Sequence, residues 1–120
     1  RSKIMARTAV TVQRFGQGDT AALTATAVDP TNGHVVTPTD PNALFVIVLN
    51  TYAGTRTVTL KAGDEDVSPN AAQGDQVISV AQNELRAIKV DCSRHLQNDG
   101  TVNIDLQASI TGSVFGVEVK

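Results

Sequence analysis

The 120-residue sequence has no tryptophan, one tyrosine (Tyr52), three phenylalanines (Phe15, Phe45 and Phe115) and a single cysteine, Cys92. Sugar-binding sandwiches and single-strand binders depend on exposed aromatic platforms. Phe45 and Phe115 fall inside strand patterns and read as core, which leaves only Tyr52 and Phe15 as exposed contacts. A carbohydrate module is therefore disfavoured. One cysteine makes no intrachain disulfide, in keeping with a reducing compartment. Cys92 reads as a small buried hydrophobe at a strand end.

Charge is also sparse: 18% of residues are charged and the net charge is −2. The basic residues are scattered, with no run that would neutralise phosphates, so neither nucleic acid nor an anionic membrane is an expected partner. No apolar run approaches the roughly 18 residues of a membrane span. Met5, the only methionine, reads as the natural start. Residues 1–4 then form an appended expression tail, no signal-type apolar region follows, and 5–120 make one domain.

Motifs for chemistry are missing too. His34 stands beside a turn and His95 lies in "SRHLQND" (93–99). Neither belongs to a nucleophile–base motif, and His95 reads as a solvated loop histidine despite Cys92 three residues away. Two histidines and one cysteine without paired spacing give no zinc signature. The acidic cluster "DED" (64–66) lacks calcium-loop spacing and reads as a solvated loop. "FGQGD" (15–19) precedes no helix, so it is not a phosphate cradle. A glycosidase would need two opposed carboxylates, and nothing in the spacing promotes a pair. No catalytic, metal-binding or cofactor-binding residue is assigned, and no cofactor is expected.

What the chain does contain is alternation. "TAVTVQ" (8–13) places Val10 and Val12 on one face. "ALTATAVD" (22–29) alternates Leu23, Ala25 and Ala27 against Thr24 and Thr26. The Asn32-Gly33 turn then reads as joining it in a hairpin to "HVVTP" (34–38). "ALFVIVLN" (43–50) is almost unbroken apolar, long for a strand with one buried face. It reads as a central strand covered on both sides, or as one covered by the protein's neighbours. "TRTVTLKA" (55–62) turns Val58 and Leu60 inward and Thr57, Thr59 and Lys61 outward; with "TYAG" as the turn, the two read as a hairpin. "VISVA" (77–81), "ELRAIKVDC" (84–92), "TVNIDLQA" (101–108, with Val102, Ile104 and Leu106 inward) and "SVFGVEVK" (113–120) complete the set. Eight or nine short strands with regular turns predict an all-β, antiparallel sandwich or barrel, with jelly roll preferred and an immunoglobulin-like order as the alternative.

One segment stands out for contacts. "ARTAVTVQRF" is basic in an acidic chain, and Arg7, Val10, Val12, Arg14 and Phe15 are its candidates for an oligomer or partner contact. A strand of this kind packs on its own sheet or lies on a neighbouring subunit, and Phe15 before a Gly-rich turn is a candidate anchor.

"MARTAVTV", "PNALFVIVLNTYAGTRTVTLKAG" and "QNDGTVNIDLQASITGSVFGVEV" together resemble small structural proteins of tailed phages and prophages, the head decoration, cement or head-fibre group. The resemblance runs through most of residues 5–120. It implies a β-sandwich or barrel that binds the major capsid protein on the outside of the virion, is made in the bacterial host cytoplasm, and assembles as a homodimer or homotrimer. It transfers no site residue. The alternatives are a tail or neck protein and a fibre-tip module that binds glycan or protein; an enzyme ranks last.

Overall fold

Val, Ile and Thr at period two favour pleated, half-buried surfaces, and strands form along the whole chain. The structure is a computed structural model that describes residues 7–119; the expected start at Met5 and the tail at 1–4 lie outside the described residues. Within them run ten strands: β1 (Thr8–Val10), β2 (Val12–Phe15), β3 (Thr26–Ala27), β4 (His34–Val36), β5 (Leu44–Asn50), β6 (Arg56–Leu60), β7 (Gln76–Val80), β8 (Glu84–Lys89), β9 (Val102–Leu106) and β10 (Gly112–Val119). One turn of α-helix, α1 (Cys92–His95), and 3-10 turns at Pro41–Ala43 and Ala71–Gln73 are the only helical pieces there.

The strands make two sheets of a sandwich. The first has the order β1-β4-β9-β6-β7 and the second β2-β10-β5-β8. β3 pairs with Ser113–Val114 of β10, on the edge that β2 occupies further along. Between the sheets lies an apolar core of Val36, Leu44, Val46, Val48, Val58, Leu60, Val80, Val102, Ile104 and Val114, all wholly buried. Each such side chain contributes about 1.5–3 kcal/mol by leaving water. The inward positions expected for Val58, Leu60, Val102, Ile104 and Leu106 are the observed ones.

The all-β sandwich is as expected, though not purely antiparallel. β1 runs parallel to β4, and β2 runs parallel to β10. The first strand crosses between sheets at Thr11, where Gly116 makes room: a Cβ there would lie 3.1 Å from the Thr11 carbonyl oxygen.

Two expected hairpins do not form. β5 pairs with β10 and β8, while β6 pairs with β7 and β9, so "TYAG" arches from one sheet to the other. The reason is Asn50. Its Nδ2 donates to the carbonyls of Gly54 and Val80, both at 2.9 Å, and its Oδ1 accepts the Tyr52 N–H at 2.9 Å. These bonds satisfy the turning backbone without strand pairing. Likewise β4 pairs with β1 and β9 rather than with the strand before it.

Of the stretch 22–29 only β3 is strand, and Leu23, Ala25 and Ala27 are exposed rather than inward. Ala and Thr bury too little area to hold a strand in place. Instead the Gln13 side chain pins the segment, donating to Ala22 O at 2.8 Å and accepting Thr24 N–H at 2.6 Å.

Candidate interaction surface

A two-sheet sandwich has two outer faces, and here they differ in kind. On the first sheet, Thr57 and Thr59 of β6 stand beside Ser79 and Val77 of β7, and Thr59 faces Asp105 of β9. Ions finish that face. Arg7 meets Asp105 at 2.7 Å, and Lys61 reaches Asp75 at 2.8 Å and Asp105 at 3.8 Å. It is the solvated face that an antiparallel sheet ordinarily presents.

The outer face of the second sheet is apolar. β5 contributes Phe45, Ile47 and Leu49, each half-buried. In register with them, Phe45 stands between Val117 and Lys89, Ile47 between Phe115 and Ala87, and Leu49 between Ser113 and Leu85. Beyond these, Phe15 of β2 pairs with Val119. Opposed side chains of adjacent strands stand about 5 Å apart, so the set is one continuous surface. Leu85 is 60% exposed and Val119 49%. Val117 is buried but outside the core cluster, covered by its neighbours on this outer side. Contiguous apolar surface of this sort marks an interaction site, whereas scattered single residues do not. Among the described residues its one formal charge is Lys89 at the β8 margin, whose Nζ lies 5.6 Å from the centre of the Phe45 ring.

Phe45 and Phe115 are therefore not core residues, as their strand patterns implied, but part of this surface. "ALFVIVLN" is a central strand, but full cover on both sides within the fold does not hold: Phe45, Ile47 and Leu49 are half-buried. At the exposed margin of β8, Arg86 occupies an inward register position opposite Val48 and pairs with Glu84 at 2.9 Å. An inward-pointing charge on an edge strand blocks edge-to-edge pairing. The face, not this edge, is what the sheet offers.

The N-terminal candidates are spread by the fold. Arg7 is tied to Asp105 and to the Ile104 carbonyl at 3.0 Å. Val10 is 5% exposed in the core, and Val12 packs against that core. Arg14 Nε lies 3.5 Å from the buried Glu118 carboxylate. Phe15 alone joins the apolar face.

The groups with chemical potential are held in structural roles. His34 and His95 are both wholly buried, which corrects the reading of His95 as a solvated loop residue. Burial pushes both imidazoles below their ordinary range, against hydrogen bonds to the Thr8 and Lys61 carbonyls that oppose the shift. His95 Nδ1 bonds Lys61 O at 3.0 Å and Nε2 bonds the Gln76 side chain at 3.2 Å, whereas the Cys92 thiol donates to Pro41 O at 2.8 Å. The two side chains point to different partners and make no Cys–His pair. Burial also raises the Cys92 thiol, which keeps it protonated.

In the acidic loop Asp64 is a structural acceptor, taking the Asn98 N–H at 2.7 Å, and Glu65 and Asp66 are exposed. Ser68 anchors the loop, with its buried hydroxyl 2.9 Å from Cys92 O and 2.7 Å from Leu96 O. Among the described residues no group of three or more His, Cys, Asp or Glu is placed to hold a metal ion. No family model, curated protein or solved structure matches the chain.

Proposed function

We propose that this chain is a non-enzymatic structural protein of a tailed-phage virion, a decoration or cement protein that binds the outer surface of the capsid shell. The observation that carries the proposal is the apolar outer face of β10, β5 and β8, set against a polar face on the other sheet. A cement protein needs a rigid scaffold with a docking surface. Each contact can be weak, because a shell repeats it many times and raises the effective concentration. The resemblance of three long segments to phage head proteins supports the same reading.

The strand order supports the jelly-roll topology over the immunoglobulin-like one. The antiparallel set β3-β10-β5-β8 faces β4-β9-β6-β7. From β3 to β6 the chain changes sheet at every step, as two interleaved Greek keys require. The N-terminal strand is an addition to that frame.

The test uses empty shells assembled from the major capsid protein of the phage that carries this gene. The purified chain should co-sediment with them to a saturating stoichiometry and raise their melting temperature. Failure to co-sediment at saturating concentration overturns the proposal, and binding to isolated tails instead moves the chain to the tail or neck.

A further inference from the structure

We infer that the apolar outer face of the second sheet pairs with the same face of a second copy, forming a two-fold dimer. This rests on the reading of that face as the working surface and names its occupant in free solution, which the capsid surface replaces on the shell.

Size is the first argument. β5 is seven residues long, and at about 3.4 Å per residue the face extends roughly 24 Å; the three strands β10, β5 and β8, about 4.8 Å apart, make it roughly 14 Å wide. The plan area is then roughly 340 Å² per copy, and corrugated accessible area is larger, so two copies approach the roughly 1,000 Å² that a specific interface needs. A single extended peptide would cover about a third of that width. The face fits a sheet.

Charge is the second argument. The chain is net acidic, yet among the described residues this face carries only Lys89, at its margin. A partner selected by charge would need charges here to answer. An uncharged face is matched by another uncharged face, and a second copy brings one without opposing its acidic loop or the ionic face of the first sheet.

Register supplies the third. β10 and β8 flank β5, so a two-fold axis laid along β5 places β10 of one copy over β8 of the other. Two of the three cross-strand rows then match large to small: Phe115 of each copy faces Ala87 of its mate, and Leu85 faces Ser113; in the third, the Lys89 stem lies over Val117. Ile47 meets Ile47 at the axis. Sheets stacked face to face about 10 Å apart interdigitate by such alternation, and a two-fold interface must be self-complementary in this way.

Sedimentation equilibrium from about 1 µM to about 200 µM tests the dimer in the range of a weak interface. The expected result is a monomer–dimer equilibrium. Ile47→Lys, which sets two ammonium groups against each other at the axis, should raise the dissociation constant at least tenfold. Leu85→Glu, at a side chain too exposed to matter for folding, should do likewise, and Ser79→Lys on the polar face should leave it unchanged. Phe115→Ala should weaken the dimer and Ala87→Phe on that background should restore part of the loss.

A wild-type monomer throughout the range overturns the inference, as does a dimer indifferent to both Ile47→Lys and Leu85→Glu. Shell co-sedimentation of the same proteins separates the two readings. A monomer whose shell binding is lost with Leu85→Glu leaves the capsid proposal standing and removes the dimer. Dimers and shell binding that both ignore the two variants remove the face from both.

Discussion

The backbone N–H of Asp29 donates to Nε2 of His34 across 3.0 Å, and on the other side of the ring Nδ1 lies 3.1 Å from the Thr8 carbonyl. One nitrogen accepts and the other donates, so only the neutral Nδ1–H imidazole fits. A proton added at Nε2 would face a donor. His34 thereby ties the N-terminal strand to the chain entering β4, with the Thr8 hydroxyl adding a 2.6 Å bond to the Asp29 carboxylate.

A pH dependence follows from that arrangement. Burial lowers the proton affinity of His34 and of His95 in the fold. Above the ordinary histidine value of 6.5, folded and unfolded chains are both neutral and stability is flat. As pH falls through that value the unfolded chain takes up protons that the fold refuses, and stability declines until the depressed folded values are reached. The midpoint of thermal unfolding should therefore be level near neutrality and fall below it, well above the range where Asp29, Asp75, Glu84, Asp91 and Asp99 titrate. Those carboxylates are also held low, by hydrogen bonds, and their contribution is lost only in stronger acid. A His34→Gln, His95→Gln double variant should be less stable at neutral pH, with the drop below neutrality largely gone. A wild-type drop that persists unchanged in the double variant would assign it elsewhere.

Glu118 is a second point of tension, a carboxylate with no exposed surface. It accepts the Thr39 N–H at 2.6 Å and the Asp40 N–H at 3.1 Å, with Arg14 at 3.5 Å. It clamps the segment entering β5 to the end of β10. Glu118→Ala should destabilise by about 2 kcal/mol, because the Thr39 and Asp40 N–H groups lose their acceptor and a cavity is left at a fully buried position. Glu118→Gln, keeping one acceptor oxygen, should cost roughly half as much. Urea unfolding of both variants measures this directly.

Asn50 makes the arch between β5 and β6, and the arch decides which strands pair. Asn50→Ala leaves the Tyr52 N–H and two carbonyls without their partner, an expected loss of about 2–3 kcal/mol. Asn50→Asp should lose a similar amount, since a carboxylate cannot donate to the Gly54 and Val80 carbonyls. A change below about 0.5 kcal/mol in both, the range of ordinary surface substitutions, would mean that the arch is held by other contacts.

Gly112 opens β10 at φ 127°, and a Cβ there would lie 2.0 Å from the Leu49 carbonyl oxygen. Because the clash is with backbone in the neighbouring strand β5, no rotamer relieves it. Gly112→Ala should lower the melting temperature markedly or prevent soluble folding. Gly18→Ala, which meets nothing within 4 Å, carries only the cost of its positive φ and should be far milder.

How much was legible in the sequence depends on what periodicity encodes. Alternation states which face a residue occupies, and it placed Val58 and Leu60, Thr57 and Thr59, and Val102, Ile104 and Leu106 correctly. It carries no information about which strand lies alongside, so "TYAG" and Asn32-Gly33 read as hairpins when they are crossings between sheets. Asn50, the last residue of an apolar run, was the available sign of an arch.

Phe45 and Phe115 read as core because aromatic side chains in strands usually are. They face outward here because β5 and β10 are apolar on both sides, a feature visible in the length of the run. The buried histidines left no such trace: the ring of His34 is met by a carbonyl 26 residues away and that of His95 by one 34 residues away, contacts that only the fold creates.

The most direct measurement is hydroxyl-radical footprinting of the dilute chain and of the chain bound to assembled shells. Leu85, Phe45 and Phe115 on the apolar face are the reporters, and Val77, 63% exposed on the opposite sheet, is the internal reference. The expected result is strong labelling of all four in dilute solution, with protection of Leu85, Phe45 and Phe115 and none of Val77 on the shell. Protection of Val77 with unchanged labelling of Leu85 would contradict the assignment, placing the working surface on the polar face instead.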